Sequence, residues 1–153
     1  MNKVEVKPYE VKHGLEIINT LVEFHNNTRE EIENAVYSNK ENSQVAYTLF
    51  VDDKPVVSFG VFIRQKGVGD VWMSVSKLAS KTPKLVIKTV KEYIEKVMRE
   101  KELKRLQTPV LNDFTTGLRF VSTLGFKCET PDGMKYYGYR GETYKLFSLI
   151  KED

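Results

Sequence analysis

The sequence predicts an α/β fold with one mixed sheet in which most strands run antiparallel. Two observations favour this fold class. Strand-length apolar runs joined by short polar turns fill residues 44–75, and a strand, a long helix and a further strand follow one another from Val71 to Leu111, the pattern of a parallel crossover. At 153 residues, 41% of them hydrophobic, the chain can bury one core, and neither a repeat nor a linker divides it. We therefore expect a single domain over residues 1–153.

The first half of the chain is expected to contain a strand, two helices and a hairpin. Pro8 marks the end of a short edge strand, and apolar residues recur at helical spacing from Leu15 to Phe24. The run from Thr28 to Glu31 is a capping box that starts a second helix. The predicted elements are a strand over 4–9, helices over 15–24 and from 28 onward, and strands over 44–51 and 56–63 joined by the polar turn 52–55.

The second half is expected to contain the crossover, one more helix and a final pair of strands. A long helix from Pro83 has an apolar stripe and a lysine-rich opposite face. Pro109 in the next strand predicts a bulge or another irregularity, and Gly125 suits the residue after a helix. The predicted elements are a turn at 67–69, strands over 71–75 and 106–111, a helix over 113–124, and two strands within 135–150 around 138–141. The full order is β-α-α-β-β-β-α-β-α-β-β.

Charge and cysteine content limit the classes of function. One cysteine, Cys128, rules out an internal disulfide and suits a reducing cytosol, so we expect a cytoplasmic protein. The longest apolar runs are too short to span a bilayer. The formal net charge of +3 is too small to imply nucleic acid, but nine basic and four acidic residues lie between Lys77 and Lys104. This local excess is interpreted either as a solvated helix face or as attraction for a polyanionic ligand.

The turn from Lys77 to Leu85 is the most informative local pattern. Ser80 and Thr82 are small residues two apart, and Pro83 opens the helix that follows. Free backbone N–H groups and the positive end of the helix dipole converge at such a strand-to-helix turn, so it suits an anion. The alternative is that the turn is only an N-cap.

This turn and the order of elements resemble those of the GCN5-related N-acetyltransferases. In that family the loop that binds the pyrophosphate of acetyl-CoA reads Gln/Arg-x-x-Gly-x-Gly/Ala-x-x-Leu. The aligned residues here are Lys77, Ser80, Thr82 and Leu85. Serine and threonine therefore replace both glycines, and their Cβ atoms narrow the approach to a pyrophosphate. The segment 117–126 resembles the family's Ala-Ile-x-Leu-Tyr-x-x-Leu-Gly-Phe, with Val121 where a tyrosine often protonates the departing thiolate.

The resemblance implies a mostly antiparallel sheet splayed between its fourth and fifth strands, with acetyl-CoA bound in the opening. It also implies that backbone N–H groups from Met73 to Val75 polarise the thioester. The residues expected to bind the cofactor are Met73, Val75, Lys77, Ser80, Lys81, Thr82 and Asn112. Asp113, beside Asn112, has the plainer interpretation of a cap for the next helix. Two histidines and a distant cysteine form no metal site of standard spacing, so no metal is expected.

Acyl transfer to an amine also needs a proton acceptor and a proton donor. Asp70 is expected to be the base, with Glu23 and His25 as alternatives. Because Val121 cannot donate a proton, Tyr137 is expected to be the acid. The other tyrosines considered for this role are Tyr136, Tyr139 and Tyr144. Each of these residues has a plainer interpretation as a surface or packing side chain.

Two functions follow from the resemblance. The first is an acetyl-CoA-dependent N-acyltransferase acting on an amine of a protein or small molecule. The second is a catalytically inactive protein of the same fold that binds a phage or host protein, because residues 69–126 are also similar to GCN5-like proteins of tailed bacteriophages, some of them internal virion proteins. The replaced glycines and Val121 favour the second. We expect neither membrane nor nucleic-acid binding, and pairing of edge strands would give a homodimer.

Overall fold

The computed structural model describes residues 1–21, 24–25 and 27–152. Within these residues the chain forms seven strands, four α-helices and one 3₁₀ segment, and their order confirms the predicted one. The strands are β1 (Val4–Pro8), β2 (Val45–Val51), β3 (Lys54–Gln65), β4 (Val68–Val75), β5 (Arg105–Leu111), β6 (Lys127–Cys128) and β7 (Tyr144–Ile150). The helices are α1 (Val11–Ile18), α2 (Arg29–Asn42), α3 (Pro83–Glu100) and α4 (Thr115–Thr123), with the 3₁₀ segment at Lys77–Lys81.

All seven strands belong to one sheet with the order β1-β2-β3-β4-β5-β7-β6. Every neighbouring pair is antiparallel except β4 and β5, which are parallel. Their ladder joins Val68–Asp70 to Arg105–Gln107, whereas residues 71–75 and 108–111 lie outside it. We call the paired part of β4 and β5 (residues 68–70 with 105–107) the vertex, and the opening between their unpaired parts (residues 71–75 and 108–111) the cleft. The expected splay between the fourth and fifth strands is therefore confirmed.

The two faces of the sheet are packed differently. The larger core lies under α3 and α4 and contains fully buried residues such as Val57, Val90 and Leu106. A smaller core under α1 and α2 is centred on Tyr9, whose ring meets that of Trp72 edge-on at 5.0 Å between centroids. Because side chains alternate along a strand, residues 70, 72 and 74 of β4 face the α1–α2 side.

Two local signals for helix ends are confirmed, one at the start of α2 and one after α4. The Thr28 hydroxyl accepts the Glu31 N–H at 3.1 Å, and the Glu31 carboxylate accepts the Thr28 N–H at 2.9 Å, which completes the capping box. Gly125, with φ of 100°, follows α4 in a left-handed conformation that favours glycine.

Several predicted elements differ from the structure. The first helix was expected over 15–24 but begins and ends earlier, at Val11 and Ile18; Val22 and Glu23 of that prediction lie outside the described residues. The bulge at Pro109 is wrong, because the ladder with β7 continues through it without a shift. A proline is accommodated there because β4 has already diverged and no strand pairs on that side.

The predicted strand pair at the end of the chain is also wrong. The partner of β7 is the two-residue β6, Lys127–Cys128, and the segment before residue 144 contributes one isolated bridge, from Met134 to Tyr144. Asp113 does not cap α4, since the N-cap position is Phe114 and carries no side-chain capping bond.

Candidate functional site

At the inner end of the cleft, the side chains of Val61 and Leu106 pack directly against the backbone of Gly69. A Cβ on Gly69 would lie 2.6 Å from Val61 Cγ1 and 3.1 Å from Leu106 Cδ2, so only glycine lets β4 pack here. Beyond Asp70 the strands diverge, and the N–H and C=O groups of residues 71–75 that point away from β3 have no partner in any of the described strands. The stretch from Met73 to Val75 therefore offers unpaired backbone groups to a ligand in the cleft.

The 3₁₀ segment lies directly after this edge of the cleft. Ser76 caps it by accepting the Leu78 N–H at 3.0 Å, and the Lys77 N–H donates to Thr20 Oγ1 at 3.1 Å. The Ser80 hydroxyl donates to the Lys77 carbonyl at 2.9 Å. The turn was expected to present free N–H groups, but these bonds close its first part, and the Ser80 hydroxyl hydrogen is already used within it.

The N-terminus of α3 is the part of this turn that stays open. Thr82 is its N-cap, but the Thr82 side chain makes no capping bond, and Pro83 has no N–H. The N–H groups of Lys84 and Leu85 come before the first intrahelical bond, which joins the Val86 N–H to the Thr82 carbonyl. Two uncapped donors and the positive end of an 18-residue helix therefore point out of the turn.

A row of five lysines runs from the 3₁₀ segment along α3. Within the described chain, no ion pair joins these exposed lysines to a carboxylate. They are Lys77, Lys81, Lys84, Lys88 and Lys91. A groove of about 540 Å³ lies on the same side between α3 and the end of α4. It is lined by Pro83, Lys84, Ile87, Lys88, Lys91, Glu92, Glu95 and Thr123. This surface combines positive charge with an apolar floor.

The open end of the cleft is bordered by His25 and by the residues after β5. The ring of His25 packs on that of Phe114 at 4.2 Å between centroids, which brings this alternative base to the end of β5. Asn112 is half-buried there, and its N–H donates to the Thr143 carbonyl at 2.9 Å. Glu23, the other alternative base, lies outside the described residues.

The tyrosines near the end of the chain border this region on the β7 side. Tyr144 pairs with Leu111 at the end of β5, and its ring contacts that of Tyr137 at 5.5 Å. Burial raises the pKa of Tyr144. The Tyr137 side chain is 54% exposed, and Tyr136 and Tyr139 are more exposed still, so these three are not cross-strand packing partners. Val121 is buried in the larger core.

Asp70 stands at the vertex and is 23% exposed. Its Oδ2 accepts bonds from Nε and Nη2 of Arg64, each at 2.8 Å, and its Oδ1 accepts Nε2 of Gln107 at 2.9 Å. The carboxylate therefore links β3, β4 and β5 on the α1–α2 side of the sheet. A carboxylate has about four acceptor positions, so this pattern leaves one on Oδ1.

Sequence reasoning missed the partners of Asp70. Gln107 and Arg64 were not singled out, because an arginine and a glutamine in strands are ordinary surface residues. Alternation along β5 places Arg105 and Gln107 on one face, which is a weak signal for a polar cluster. The pairing of residue 70 with residue 107 depends on a parallel register across a crossover, and no local pattern encodes it.

Comparison with solved structures identifies proteins of the same architecture. An acetyltransferase from Streptococcus agalactiae superposes with a TM-score of 0.75 at 14% identity, covering 97% of this chain and 98% of its own. The ribosomal-protein-S5-alanine acetyltransferase of Vibrio fischeri gives 0.69 at 16% identity, covering 98% and 94%. RimL, a ribosomal L7/L12 α-N-protein acetyltransferase solved with coenzyme A, gives 0.67 at 11% identity, covering 96% and 93%.

The sequence comparisons give no such likeness. No protein-family model matches the chain, and no curated protein does. At these identities the structural likeness shows the fold alone. Among the described residues no helix has the length and hydrophobicity of a bilayer span, and no group of three or more His, Cys, Asp or Glu side chains is placed to hold a metal.

Proposed function

Since the chain has the fold of the GCN5-related N-acetyltransferases, we propose that it is an acetyl-CoA-dependent N-acyltransferase acting on an amine of a protein or small molecule. The observation that carries this proposal is the cleft between β4 and β5, which opens onto the uncapped N-terminus of α3. A thioester needs donors for its carbonyl oxygen, and a pyrophosphate needs free N–H groups and positive charge. The cleft and the helix end supply both.

The chain's own groups fit the parts of the cofactor in order along the cleft. Backbone groups of Met73 and Val75 would hold the thioester carbonyl, and Asn112 would border it from the β5 side. The N–H groups of Lys84 and Leu85 would receive the pyrophosphate. The remaining residues proposed to surround the phosphates are Lys77, Ser80, Lys81 and Thr82. Ser80 would border the phosphates by its position alone, since its hydroxyl hydrogen is donated to the Lys77 carbonyl and its lone pairs cannot bond a phosphate oxygen.

The lysine-bordered groove supports binding of a phosphorylated nucleotide. CoA carries three phosphate groups around an adenosine, and the groove offers an apolar floor at Ile87 with Lys84 and Lys88 at its rim. Lysines attract phosphate as point charges and do not require a fixed geometry. The exposed row would also raise the rate of encounter with a polyanion.

Acetyl-CoA would supply the acetyl group as a thioester. Asp70 is proposed to accept the proton of the attacking amine at Oδ1, directly or through one water, because that oxygen retains an acceptor position. Tyr137 is proposed to supply the proton to the leaving sulfur. The Tyr137 side chain stands in an exposed segment at the open end of the cleft, beside Tyr144.

The acceptor is proposed to reach the cleft from the α1–α2 side. That side carries Asp70, and Arg140 ties the tyrosine segment to it through an ion pair with Glu31 of α2, whereas the lysine row is on the α3 side. The names of two proteins similar in structure specify ribosomal proteins as acceptors, which supports a protein amine as one acceptor class. We propose that the reaction takes place in the cytosol, where acetyl-CoA and a reduced Cys128 are both found.

Calorimetry with acetyl-CoA tests this proposal directly. Thr82→Arg is expected to weaken binding by about tenfold or more, because the longer side chain stands in the approach to the free N–H groups of α3. Ser38→Arg, on the exposed surface of α2, adds the same charge and is expected to bind as the wild type does. Absence of binding by the wild type at millimolar acetyl-CoA would end the proposal.

A second candidate function is a catalytically inactive protein of this fold, phage-encoded, that binds a phage or host protein in the cytosol or virion. The closed 3₁₀ segment favours it, because the Ser80 hydroxyl hydrogen and the Thr82 N–H both donate to carbonyls inside the turn and are not free for a phosphate. The buried Val121 in the tyrosine position is a second observation in its favour. It predicts no thermal shift with CoA, and release of CoA in the presence of any amine would exclude it.

A further inference from the structure

The vertex of the cleft is crossed by a continuous chain of hydrogen-bonded polar side chains. It begins with Arg64 on β3 and passes through Asp70 on β4 to Gln107 on β5. From Gln107 it continues to Arg105 on the same strand and then to Glu129, just after β6. We call these five residues the vertex chain. All of its β4 and β5 members face the α1–α2 side of the sheet.

Each bond in the vertex chain has a defined direction. Arg105 Nε donates to Gln107 Oε1 at 2.7 Å, and Gln107 Nε2 donates to Asp70 Oδ1 at 2.9 Å. The Gln107 amide therefore has one orientation, since a flip would set its NH₂ against a guanidinium and its oxygen against a carboxylate. The arginine side chain, in turn, is held by two parallel bonds to Glu129, at 2.8 and 2.7 Å.

The vertex chain crosses one of the short backbone ladders of the sheet. The ladder between β4 and β5 spans three residue pairs, whereas the β5–β7 ladder spans seven. Gln107 is paired with Asp70 in the last of the three, immediately before the strands diverge. The side-chain link thus fixes the position of Asp70 at the inner end of the cleft.

We propose that Gln107 is a positioning residue for the acyl transfer, fixing the Asp70 carboxylate at the vertex while Arg105 and Glu129 fix Gln107. This proposal rests on the proposed function for its catalytic consequence. Arg64 occupies Oδ2 of Asp70, and Gln107 takes one position on Oδ1, so the remaining acceptor position has a single direction. General-base efficiency depends on that direction, because proton transfer requires hydrogen-bond geometry with the amine.

Two substitutions test the role of Gln107, with one matched control. Gln107→Leu removes both bonds and keeps the size. Gln107→Glu keeps the bond to Arg105 and sets a second carboxyl group against Asp70. Gln65→Glu adds the same charge at an exposed position at the end of β3, outside the contacts of Asp70. Carbon-detected NMR follows the Asp70 carboxyl through a pH titration, with its signal assigned by its loss in Asp70→Asn.

The expected result is that Gln107→Glu moves the Asp70 titration to higher pH, because two neighbouring carboxylates resist joint ionisation, while Gln65→Glu leaves it in place. In CoA-release assays with acetyl-CoA and a panel of peptide α-amines and small primary amines, Gln107→Leu should lower kcat by about tenfold or more. Its calorimetric affinity for acetyl-CoA should equal that of the wild type. The acid limb of the Gln107→Glu rate profile should also move to higher pH.

The outcomes separate this proposal from the proposed function. If the wild type neither binds acetyl-CoA nor releases CoA, the function fails, and the positioning role fails with it. If the wild type is active and Gln107→Leu has wild-type kcat, the positioning role alone is overturned. If Asp70 titrates at the same pH in Gln107→Glu as in Gln65→Glu, the contact between residue 107 and Asp70 is overturned, whether or not the protein is active.

Discussion

The two faces of the sheet differ in what holds them together. On the α3–α4 side, a large apolar core contains fully buried residues such as Val57, Val90 and Leu106. On the α1–α2 side, polar groups are buried as well: Nδ1 of His13 bonds to Thr48 Oγ1 at 2.9 Å, and Thr48 bonds to Ser58 at 3.0 Å. The vertex chain lies on the same side. Because burial of apolar side chains stabilises the folded state, the α3–α4 face is expected to supply most of the stability, while the other face carries hydrogen-bonded groups able to take part in proton transfer.

The largest expected effect comes from the apolar face. Leu106→Ala should lower the free energy of unfolding by about 2–5 kcal/mol, because it removes a fully buried side chain and leaves a cavity between β5 and α3. Urea denaturation measures the change. A loss below about 1 kcal/mol would show that this face is not the main source of stability.

A smaller effect, dependent on pH, is expected on the polar face at His13. Nδ1 of His13 accepts the Glu10 N–H at 3.1 Å, so the neutral ring is the form that fits, and burial lowers the pKa of His13. As the pH falls, the unfolded chain therefore binds a proton at His13 before the folded protein does. The contribution of neutral His13 to the free energy of unfolding is fully present above about pH 6.5. It falls as the pH drops below that value, by up to about 1.4 kcal/mol per pH unit, until the pH reaches the lowered pKa of His13 in the folded protein.

Urea denaturation between pH 5 and 7.5 measures this slope. His13→Gln should remove the slope over that range while lowering stability at neutral pH. The same slope in wild type and variant would contradict a neutral, buried His13.

A further effect is expected at Glu129 in more acidic solution. Arg105, followed by Ser148, lowers the pKa of Glu129 to about 2 through hydrogen bonds. Its contribution to stability is therefore present above about pH 4.3 and is lost as the pH falls towards 2. Because the pair is partly exposed, Glu129→Gln should cost about 1 kcal/mol or less at pH 7.

Unfolding of wild type and Glu129→Gln at pH 7 and pH 3 measures this contribution. The difference between the two proteins should shrink at the lower pH. An undiminished difference at pH 3 would contradict the ion pair with Arg105.

The smallest effect on stability is expected on the lysine row, where binding should change instead. Reversing two charges with Lys84→Glu and Lys88→Glu should leave the unfolding free energy within about 0.5 kcal/mol of the wild type, because both side chains are exposed. Acetyl-CoA affinity should fall by about tenfold and depend less on salt.

Calorimetry at two salt concentrations measures this change in affinity. The control pair Lys12→Glu and Lys40→Glu changes net charge equally, on α1 and α2. Equal losses from both pairs would assign the effect to net charge and not to the groove.

Much of the fold could be predicted because its signals are local. The capping box at Thr28, the proline that opens α3 and the glycine after α4 each act within a few residues. The tail was predicted wrongly because β6 is two residues long, too short for any alternation to identify, and because the tyrosine-rich segment has strand propensity but is held as a loop.

The sequence singles out individual residues for the candidate site but not the contacts between them. The turn before α3 was singled out from its spacing, and Asp70 and Val121 from the resemblance to the acetyltransferase family. The closing of the turn as a 3₁₀ segment depends on Thr20 and Ser76, and the vertex chain depends on the register of two parallel strands. Contacts between residues so distant in sequence are set by packing of the whole sheet, which no local pattern contains.

A cofactor site in the cleft between β4 and β5 is tested most directly by amide NMR of the labelled protein titrated with acetyl-CoA. Binding in the cleft should give shift changes that saturate at Met73–Val75 and at Lys84 and Leu85, with smaller changes around Asn112 and none on β1 and β2. Saturating changes confined to the α1–α2 side, or no change at millimolar acetyl-CoA, would contradict a cofactor site in the cleft between β4 and β5.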